Sequence, residues 1–202
     1  RYGKNAVQGQ VVAFYSDYDN LLGSDLAAAG GSGTSQVFNG GAAVAKGLEV
    51  QATYDMLANN RTSFNLPVSV AYTYTNAFFL SSFKSEFEGW GEVERGDELP
   101  YLAHHQLTLI LSLEHRNFNI NISGRYLGEM RTRPGQSDLS TDENIDAYFV
   151  LDGSANYNLT RNISLFANAT NFTDEVYMVS TRPAGLRPGR PMAFLIGIKA
   201  GF

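Results

Sequence analysis

Apolar and polar residues alternate along most of this chain. From 48 to 55 the even positions are Leu48, Val50, Ala52 and Tyr54, and the odd positions are polar. The same alternation recurs in 68–75, 106–114, 118–130, 149–159, 163–170 and 192–202, and a less regular stretch spans 7–18. A period of two is typical of a β-strand with one apolar face, whereas a helix repeats every three to four residues. The pattern therefore predicts an all-β protein with eight strands.

The connections between the predicted strands fall into two length classes that alternate along the chain. The short ones are 56–63, 115–117 and 160–162, and the long ones are 19–35, 76–104, 131–145 and 174–189. Outer-membrane barrels have tight turns at one end and long loops at the other. A soluble β-sandwich has the same two-faced strands but no physical reason to sort its connections by length. The pattern favours an antiparallel transmembrane β-barrel portion, and a soluble sandwich that acts as a binding module is the alternative.

The aromatic residues and the composition agree with a membrane barrel. Rings lie mostly near the ends of the predicted strands, where barrels carry aromatic girdles: Tyr15, Tyr18, Tyr54, Tyr72, Tyr74, Phe118, Tyr126, Phe149, Tyr157 and Phe202. Charged residues make up 17% of the chain, which is below the roughly 25% of an average soluble domain. A surface that faces lipid accounts for this low share.

Composition and motifs exclude several function classes. The chain has no cysteine and a net charge of −5, which excludes thiolate chemistry and argues against a nucleic-acid partner. No apolar run approaches the roughly 18 residues of a spanning helix. His104, His105 and His115 form no metal or triad motif, and the glycines of 30–33 are not followed by a phosphate-binding lysine. The sequence therefore predicts neither an enzyme nor a cofactor.

Four segments together resemble the C-terminal part of TonB-dependent outer-membrane receptors. The first is Gly47-Leu48-Glu49, and the second is Gly96-Asp97-Glu98-Leu99-Pro100 followed by His105. The third is the run from Phe166 through Asn171-Phe172-Thr173-Asp174 to Tyr177, and the last is Pro188-Gly189-Arg190-Pro191 leading into a strand that ends at Phe202. Each motif is weak alone, but their order and spacing along nearly the whole chain are specific.

The resemblance implies both a fold and a function. Residues 1–202 would form about eight C-terminal strands of a barrel of about 22 strands, and the plug domain and the segment that contacts TonB would lie outside them. The implied function is binding and import of a ferric chelate, a siderophore or ferric citrate, across the outer membrane with energy coupled through the TonB complex. The alternative is a small standalone outer-membrane barrel that acts as an adhesin or structural anchor.

Arginines in the long connections are the candidate ligand contacts. Guanidinium groups bind carboxylates in pairs and so suit an anionic iron chelate. The candidates are Arg131, Arg133, Arg182 and Arg187. The competing interpretation is that these side chains bind lipopolysaccharide phosphates or pair with Asp174 and Glu175.

The sequence also predicts an assembly signal in the final strand and a lumen-facing role for the polar positions. Phe202, with alternating apolar residues before it, looks like the signal that the bacterial barrel-assembly machinery reads. The polar positions of the strands are expected to line the lumen and touch water or the plug, whereas the apolar positions contact outer-membrane lipid. These wall residues are Glu49, Gln51, Asn119, Asn121, Arg125, Asp152 and Asn156.

Overall fold

The computed structural model describes residues 7–24, 37–58, 62–86, 90–139, 144–181 and 185–201, and the regular structure in these residues is all β-strand. In chain order the strands are β1 (Val7–Tyr18), β2 (Leu22–Ser24), β3 (Val37–Asn39), β4 (Ala43–Asp55), β5 (Phe64–Asn65), β6 (Pro67–Phe79), β7 (Phe83–Ser85), β8 (Gly91–Val93), β9 (His105–His115), β10 (Phe118–Leu127), β11 (Met130–Arg131), β12 (Asn144–Ile145), β13 (Tyr148–Asn158), β14 (Ile163–Thr170), β15 (Met178–Ser180), β16 (Arg187–Pro188) and β17 (Ala193–Ala200). Across these described residues, no helix has the length and apolarity needed to cross a membrane.

Eight long strands form one antiparallel sheet. Their order is β1-β4-β6-β9-β10-β13-β14-β17, so each long strand pairs with the next long strand in the chain, and β5 adds a short pairing with β9. Antiparallel neighbours can be joined by connections as short as two residues, which makes this up-and-down order possible. The eight strands predicted from the alternation are confirmed.

Strand boundaries differ from the prediction at the end of the sheet where the long connections lie. β4 begins at Ala43 instead of Leu48, and β6 continues to Phe79 instead of ending at Thr75. These extra residues pair with each other, and both Ala43 and Val44 are buried although they point to opposite faces. The alternation fails there because residues on both faces of the sheet are buried. Conversely, β10 ends at Leu127 because Met130 pairs with Ile145 in a separate ribbon.

The register keeps the two faces of the sheet chemically distinct. Residues that lie opposite each other share a face, so Leu48 shares one face with Ala13 and Tyr74, whereas Glu49 shares the other with Val12 and Thr73. The apolar face carries residues such as Val50, Val70, Leu109, Leu111, Ile122, Ala155, Leu165 and Ile196. The polar face carries residues such as Gln51, Thr108, Ser123, Arg125, Asp152, Ser154, Asn156 and Asn168.

Aromatic rings on the apolar face form two rows with an aliphatic band between them. One row contains Tyr54, Phe118 and Tyr157, and the other contains Tyr72, Tyr74, Tyr126 and Phe149. Aromatic rows that flank an apolar band are typical of membrane barrels, in which the rings sit at the two interfaces. Tyr18 differs from the predicted set because its register opposite Ala43 places it on the polar face.

The connections at the two ends of the sheet are built differently. At one end, here called the turn end, the chain reverses between β4 and β6, between β9 and β10 through residues 116–117, and between β13 and β14 through residues 159–162. At the other, here called the connection end, each of the four long connections contains a two-stranded ribbon: β2 with β3, β7 with β8, β11 with β12, and β15 with β16. The predicted alternation of short and long connections is confirmed, and each long connection contains a pair of hydrogen-bonded strands.

Gly47 shows why one family-like motif requires a glycine. A Cβ atom at this position would lie 2.0 Å from the backbone oxygen of Tyr74 and 2.6 Å from Cζ of Phe14. The Phe14 ring, which belongs to the residue opposite Gly47 in the register, covers the bare backbone of β4. Close approach of a neighbouring backbone and ring, more than conformational freedom, is therefore the physical reason for glycine here.

Candidate functional site

Two small hydrophobic cores support the connection end. The Phe79 cluster contains the buried residues Ala43, Phe79 and Val93, with Leu21, Phe83, Trp90 and Leu99 packed against them. The Ile145 cluster contains Ala103, Met130 and Ile145, with Tyr101, Leu127 and Met178 packed against them. Each cluster joins residues from different connections, so the connections are held to one another as well as to the strands below.

The segment between β8 and β9 pairs with the last residues of β6 and so extends the sheet past the first residue of β9. The backbone N–H of Leu99 donates to Ala77 O at 3.1 Å, and that of Glu98 donates to Gly135 O at 3.0 Å. Asp97 is 7% exposed, and its carboxylate accepts from the Glu94 backbone N–H at 2.9 Å. The Gly-Asp-Glu-Leu-Pro motif therefore describes an extended segment that is clamped between β6 and the next connection.

A charged network ties this segment to the connection after β10. Arg131 Nε lies 2.8 Å from Glu98 Oε2, and His104 Nε2 lies 3.5 Å from the other oxygen of Glu98. Arg131 also donates from Nη2 to the backbone oxygen of Ser137, and only 12% of its side chain is exposed. Gln136 adds a hydrogen bond of 3.0 Å to Asp97. Arg131, a predicted ligand contact, therefore links two connections through its ion pair and hydrogen bonds.

Asn171 closes the base of the last long connection. Its side chain is fully buried; Nδ2 donates to the backbone oxygens of Glu175 and Arg190, and Oδ1 accepts from the Glu175 N–H, all at 2.9 Å. Its own N–H donates to Asp152 Oδ1 at 2.8 Å. Asn171 has a positive φ of 46°, a conformation that asparagine tolerates better than most residues. The Asn-Phe-Thr-Asp motif thus fixes both ends of this connection.

Tyr177 completes that closure. Its backbone oxygen accepts from the Gly189 N–H at 2.8 Å, and its hydroxyl oxygen accepts from the Arg190 N–H at 3.2 Å. A Cβ atom on Gly189 would lie 2.0 Å from the Tyr177 ring. The ring centroids of Tyr177 and Tyr148 are 4.4 Å apart with planes 37° apart. The arrangement places two tyrosines side by side at the connection end of the polar face.

A polar recess of about 470 Å³ opens on the polar face next to this closure. Its polar lining consists of Asn121, Ser123, Asp152, Ser154, Asn168, Thr170 and Arg190. Hydroxyl and amide groups dominate, and the Asp152 carboxylate and the Arg190 guanidinium are the charged groups. The recess can therefore bind a polar group by hydrogen bonds.

The other predicted site residues have different surroundings. Arg133 is exposed in the connection after β10, and Arg187 is exposed in β16, opposite Ser180. Arg182 and Phe202 lie outside the described residues, so their predicted roles stay predictions. Asp174 and Glu175 make no ion pair with an arginine within the part of the chain that the structure describes.

Sequence reasoning missed the tyrosine pair. Tyr148 was not singled out, and Tyr177 entered only as part of a motif. The alternation in β13 could have identified Tyr148, because its even number places it on the same face as Asp152 and Ser154. Only the structure shows that Tyr177, from the last long connection, packs beside it with its ring tilted.

Two of the histidines contact aromatic residues. His115 packs on Phe64 at the turn end, with ring centroids 4.9 Å apart, and His105 Nδ1 lies 2.8 Å from the Tyr72 hydroxyl. Within the six described stretches of the chain, no group of three or more histidine, aspartate or glutamate residues is arranged to hold a metal ion.

A family model described as "TonB dependent receptor-like, beta-barrel" matches residues 1–172. The catecholate siderophore receptor Fiu of Escherichia coli K12 is 29% identical over 101 residues, which are 48% of this chain and 13% of the receptor's length. The chain therefore spans only a small part of this curated relative. The match does not by itself assign a ligand to this chain.

Solved structures share the fold. The chain resembles the ferric-catecholate import receptor Fiu from E. coli K12 with a TM-score of 0.66 and 19% identity, covering 98% of this chain and 26% of that one. For the siderophore receptor PiuA from Acinetobacter baumannii the TM-score is 0.67 at 14% identity, with 97% and 26% covered. For the ferric citrate transporter FecA it is 0.70 at 18% identity, with 97% and 29% covered. At these identities the likeness establishes the fold.

Proposed function

Because this chain belongs to the TonB-dependent receptor β-barrel family, we propose that its full-length protein binds a ferric chelate outside the cell and imports it with energy coupled through TonB. Members of this family are transport receptors of the bacterial outer membrane and are not enzymes. The apolar face of the sheet then contacts lipid, and the polar face lines the lumen. The proposed mechanism involves no covalent chemistry, only binding, release and passage through the lumen.

The observation that carries the proposal is the difference between the two ends of the sheet. Short connections lie at one end, whereas four long connections that share two buried clusters stand at the other. Ordering this many residues costs conformational entropy. A barrel that served only as an anchor would not need such connections, and no observation favours the adhesin or anchor alternative.

The proposed ligand contacts are Arg131, Arg133, Arg182 and Arg187. Arg133 and Arg187 are exposed at the connection end, where a chelate arriving from outside would meet them. Arg131 already donates to Glu98, so its part in binding includes holding its connection in place. The chelate would bring carboxylate or phenolate oxygens, which guanidinium groups bind through charge-assisted hydrogen bonds.

Replacement of Arg187 tests this proposal. Arg187→Gln removes the charge with little change of shape, and we expect the half-saturating concentration for uptake of radioactive ferric citrate to rise about fivefold to tenfold. Arg161→Gln is the matched control, because Arg161 is an exposed arginine at the turn end. Unchanged uptake by Arg187→Gln, at equal amounts of receptor in the membrane, contradicts a role for Arg187 in binding.

The assembly role of Phe202 is a separate proposal. A terminal phenylalanine after alternating apolar residues is the feature that would be read by the barrel-assembly machinery. Deletion of Phe202 should lower the amount of full-length receptor in the outer membrane while leaving its synthesis unchanged, as measured by immunoblots of membrane fractions and whole cells. Equal membrane levels with and without Phe202 contradict the proposal.

A further inference from the structure

The apolar face of the sheet has a groove near the turn end. Its volume is about 460 Å³, and its lining comes from β10, β13, β14 and β17. Ala155 and Ala167 lie opposite each other in the middle of the groove, and their partners on the outer strands, Ile120 and Ile196, lie to either side. Apolar side chains from four strands thus surround a space that a hydrocarbon chain can occupy.

Two chain reversals lie at the turn end of this groove and are hydrogen-bonded to each other. The backbone N–H of Asn158, the last residue of β13, donates to Asn117 O in the reversal between β9 and β10 at 2.7 Å. Arg116 belongs to that reversal, and Arg161 belongs to the reversal between β13 and β14. Within the second reversal Thr160 Oγ1 accepts two backbone N–H groups. Neighbouring reversals with fixed backbones therefore present the two arginines.

Two aromatic rings lie between the reversals and the groove. Phe118 and Tyr157 are opposite each other in the register, next to the two reversals, and both line the groove. They belong to the aromatic row of the turn end, and such a row lies at the level of the lipid head groups. The arginines just beyond the rings are therefore at the depth of lipid phosphates, and the groove is at the depth of acyl chains.

The charge at this end of the groove is positive. Arg116 and Arg161 are exposed, and among the described residues no carboxylate lies within 4.0 Å of either guanidinium. Residues 114–119 and 156–165 contain one acidic side chain, that of Glu114, which lies on the polar face of the sheet, away from lipid. Arginines at a membrane surface attract anionic head groups, and the guanidinium fork matches the geometry of a phosphate. Charge complementarity therefore favours a lipid with net negative charge over a zwitterionic one.

We propose that this part of the receptor binds one anionic glycerophospholipid, with the head group at Arg116 and Arg161 and an acyl chain in the groove. Short reversals of outer-membrane barrels face the periplasm, so the lipid belongs to the periplasmic leaflet. The site lies at the opposite end of the strands from the proposed chelate contacts, so the inference goes beyond import and holds for any chelate. For the same reason Arg161→Gln should leave uptake unchanged while it weakens lipid binding.

The test measures how two lipids with the same acyl chains bind to the delipidated full-length receptor in detergent. Dioleoylphosphatidylglycerol has a net negative charge, and dioleoylphosphatidylcholine has none. Native mass spectrometry over a lipid titration gives an affinity for each. The wild type should bind the anionic lipid at least about fivefold more tightly, and Arg116→Gln combined with Arg161→Gln should reduce this preference to less than about twofold. Arg95→Gln is the matched control, because it removes an exposed arginine at the connection end and should keep the preference.

A substitution inside the groove tests the acyl chain separately. Ala167→Leu fills the middle of the groove with a larger apolar side chain, so it should weaken binding of both lipids about fivefold and leave the preference between them unchanged. Ala52→Leu makes the same change on the apolar face of β4, outside the groove, and should leave both affinities unchanged. All variants are compared as heat-resistant barrels, which controls for folding.

Three results would overturn the inference. The first is equal affinity of the wild type for the two lipids, and the second is a preference that survives the loss of both arginines. The third is a pair of receptors that Ala167→Leu separates, because a second copy of the chain would then occupy the groove. None of these results bears on the proposed import of a chelate, which the uptake measurements test.

Discussion

The same strands end in exposed chain reversals at the turn end and in connections with buried residues at the connection end. At the turn end the chain reverses through exposed residues, among them Asn162, whose Nδ2 donates to Gly201 O at 3.1 Å. At the connection end the side chain of another asparagine, Asn171, is fully buried and joins the backbone at Glu175 to the backbone at Arg190. The same residue type therefore serves as a surface polar group at one end and as a structural centre at the other.

The two ends of the sheet differ in how many tertiary contacts hold their connections. A turn only has to bring two neighbouring strands into register, which two residues can do between His115 and Phe118. The connections instead bury Phe79 and Ile145 completely and pair Glu98 with Arg131 across two connections. Interactions of this kind hold loops in one arrangement, which a binding surface requires and a simple reversal of the chain does not.

Two phenylalanines, one at each end of the sheet, provide the strongest test of this difference. Phe79 is fully buried in its cluster, so Phe79→Ala should lower the free energy of unfolding by about 3–5 kcal/mol. Phe64, at the turn end, is 37% exposed, and Phe64→Ala should cost less than about 1.5 kcal/mol. Guanidinium unfolding of the full-length receptor in lipid vesicles measures both. Similar costs at the two positions would mean that the connection end has no core of its own.

The two asparagines provide a smaller test. Asn171→Ala removes three hydrogen bonds that a fully buried side chain makes to the backbone of Glu175 and Arg190, and should cost about 2–3 kcal/mol. It should also make the chain near Val176, whose side chain is 93% exposed, more susceptible to added protease. Asn162→Ala should cost less than about 1 kcal/mol, because water replaces its exposed hydrogen bond. Unchanged protease resistance in Asn171→Ala would argue against Asn171 as the closing residue.

The smallest expected difference in stability is between two ion pairs within the connection end. Glu98→Gln removes the charge that pairs with the mostly buried Arg131, and should cost about 1–2 kcal/mol. Glu92 pairs with Lys84 at 3.1 Å, but both side chains are more than 70% exposed. Glu92→Gln should therefore cost less than about 0.5 kcal/mol. The same unfolding measurement decides, and equal costs would show that Arg131 does not depend on Glu98.

Sequence patterns predicted the sheet better than the site. The alternation located all eight long strands because burial on one face imposes a period of two wherever a strand has one covered face. It failed at Ala43, Val44 and Phe79, where residues on both faces are buried. Predicted site residues met the same limit: the sequence placed Arg131 in a long connection but contained no sign of its pairing with Glu98, 33 positions away.

By itself, the sequence determined the all-β fold, the order of strands, the sorting of short and long connections, and the family. These properties follow from local periodicity and from motifs, which a single strand or turn can express. Only the tertiary structure decided that Asn171 joins Glu175 to Arg190, that Tyr177 packs against Tyr148, and that Arg131 is paired with Glu98. Such contacts join residues on different connections, and their partners are chosen by packing in three dimensions, which leaves no periodic trace along the chain.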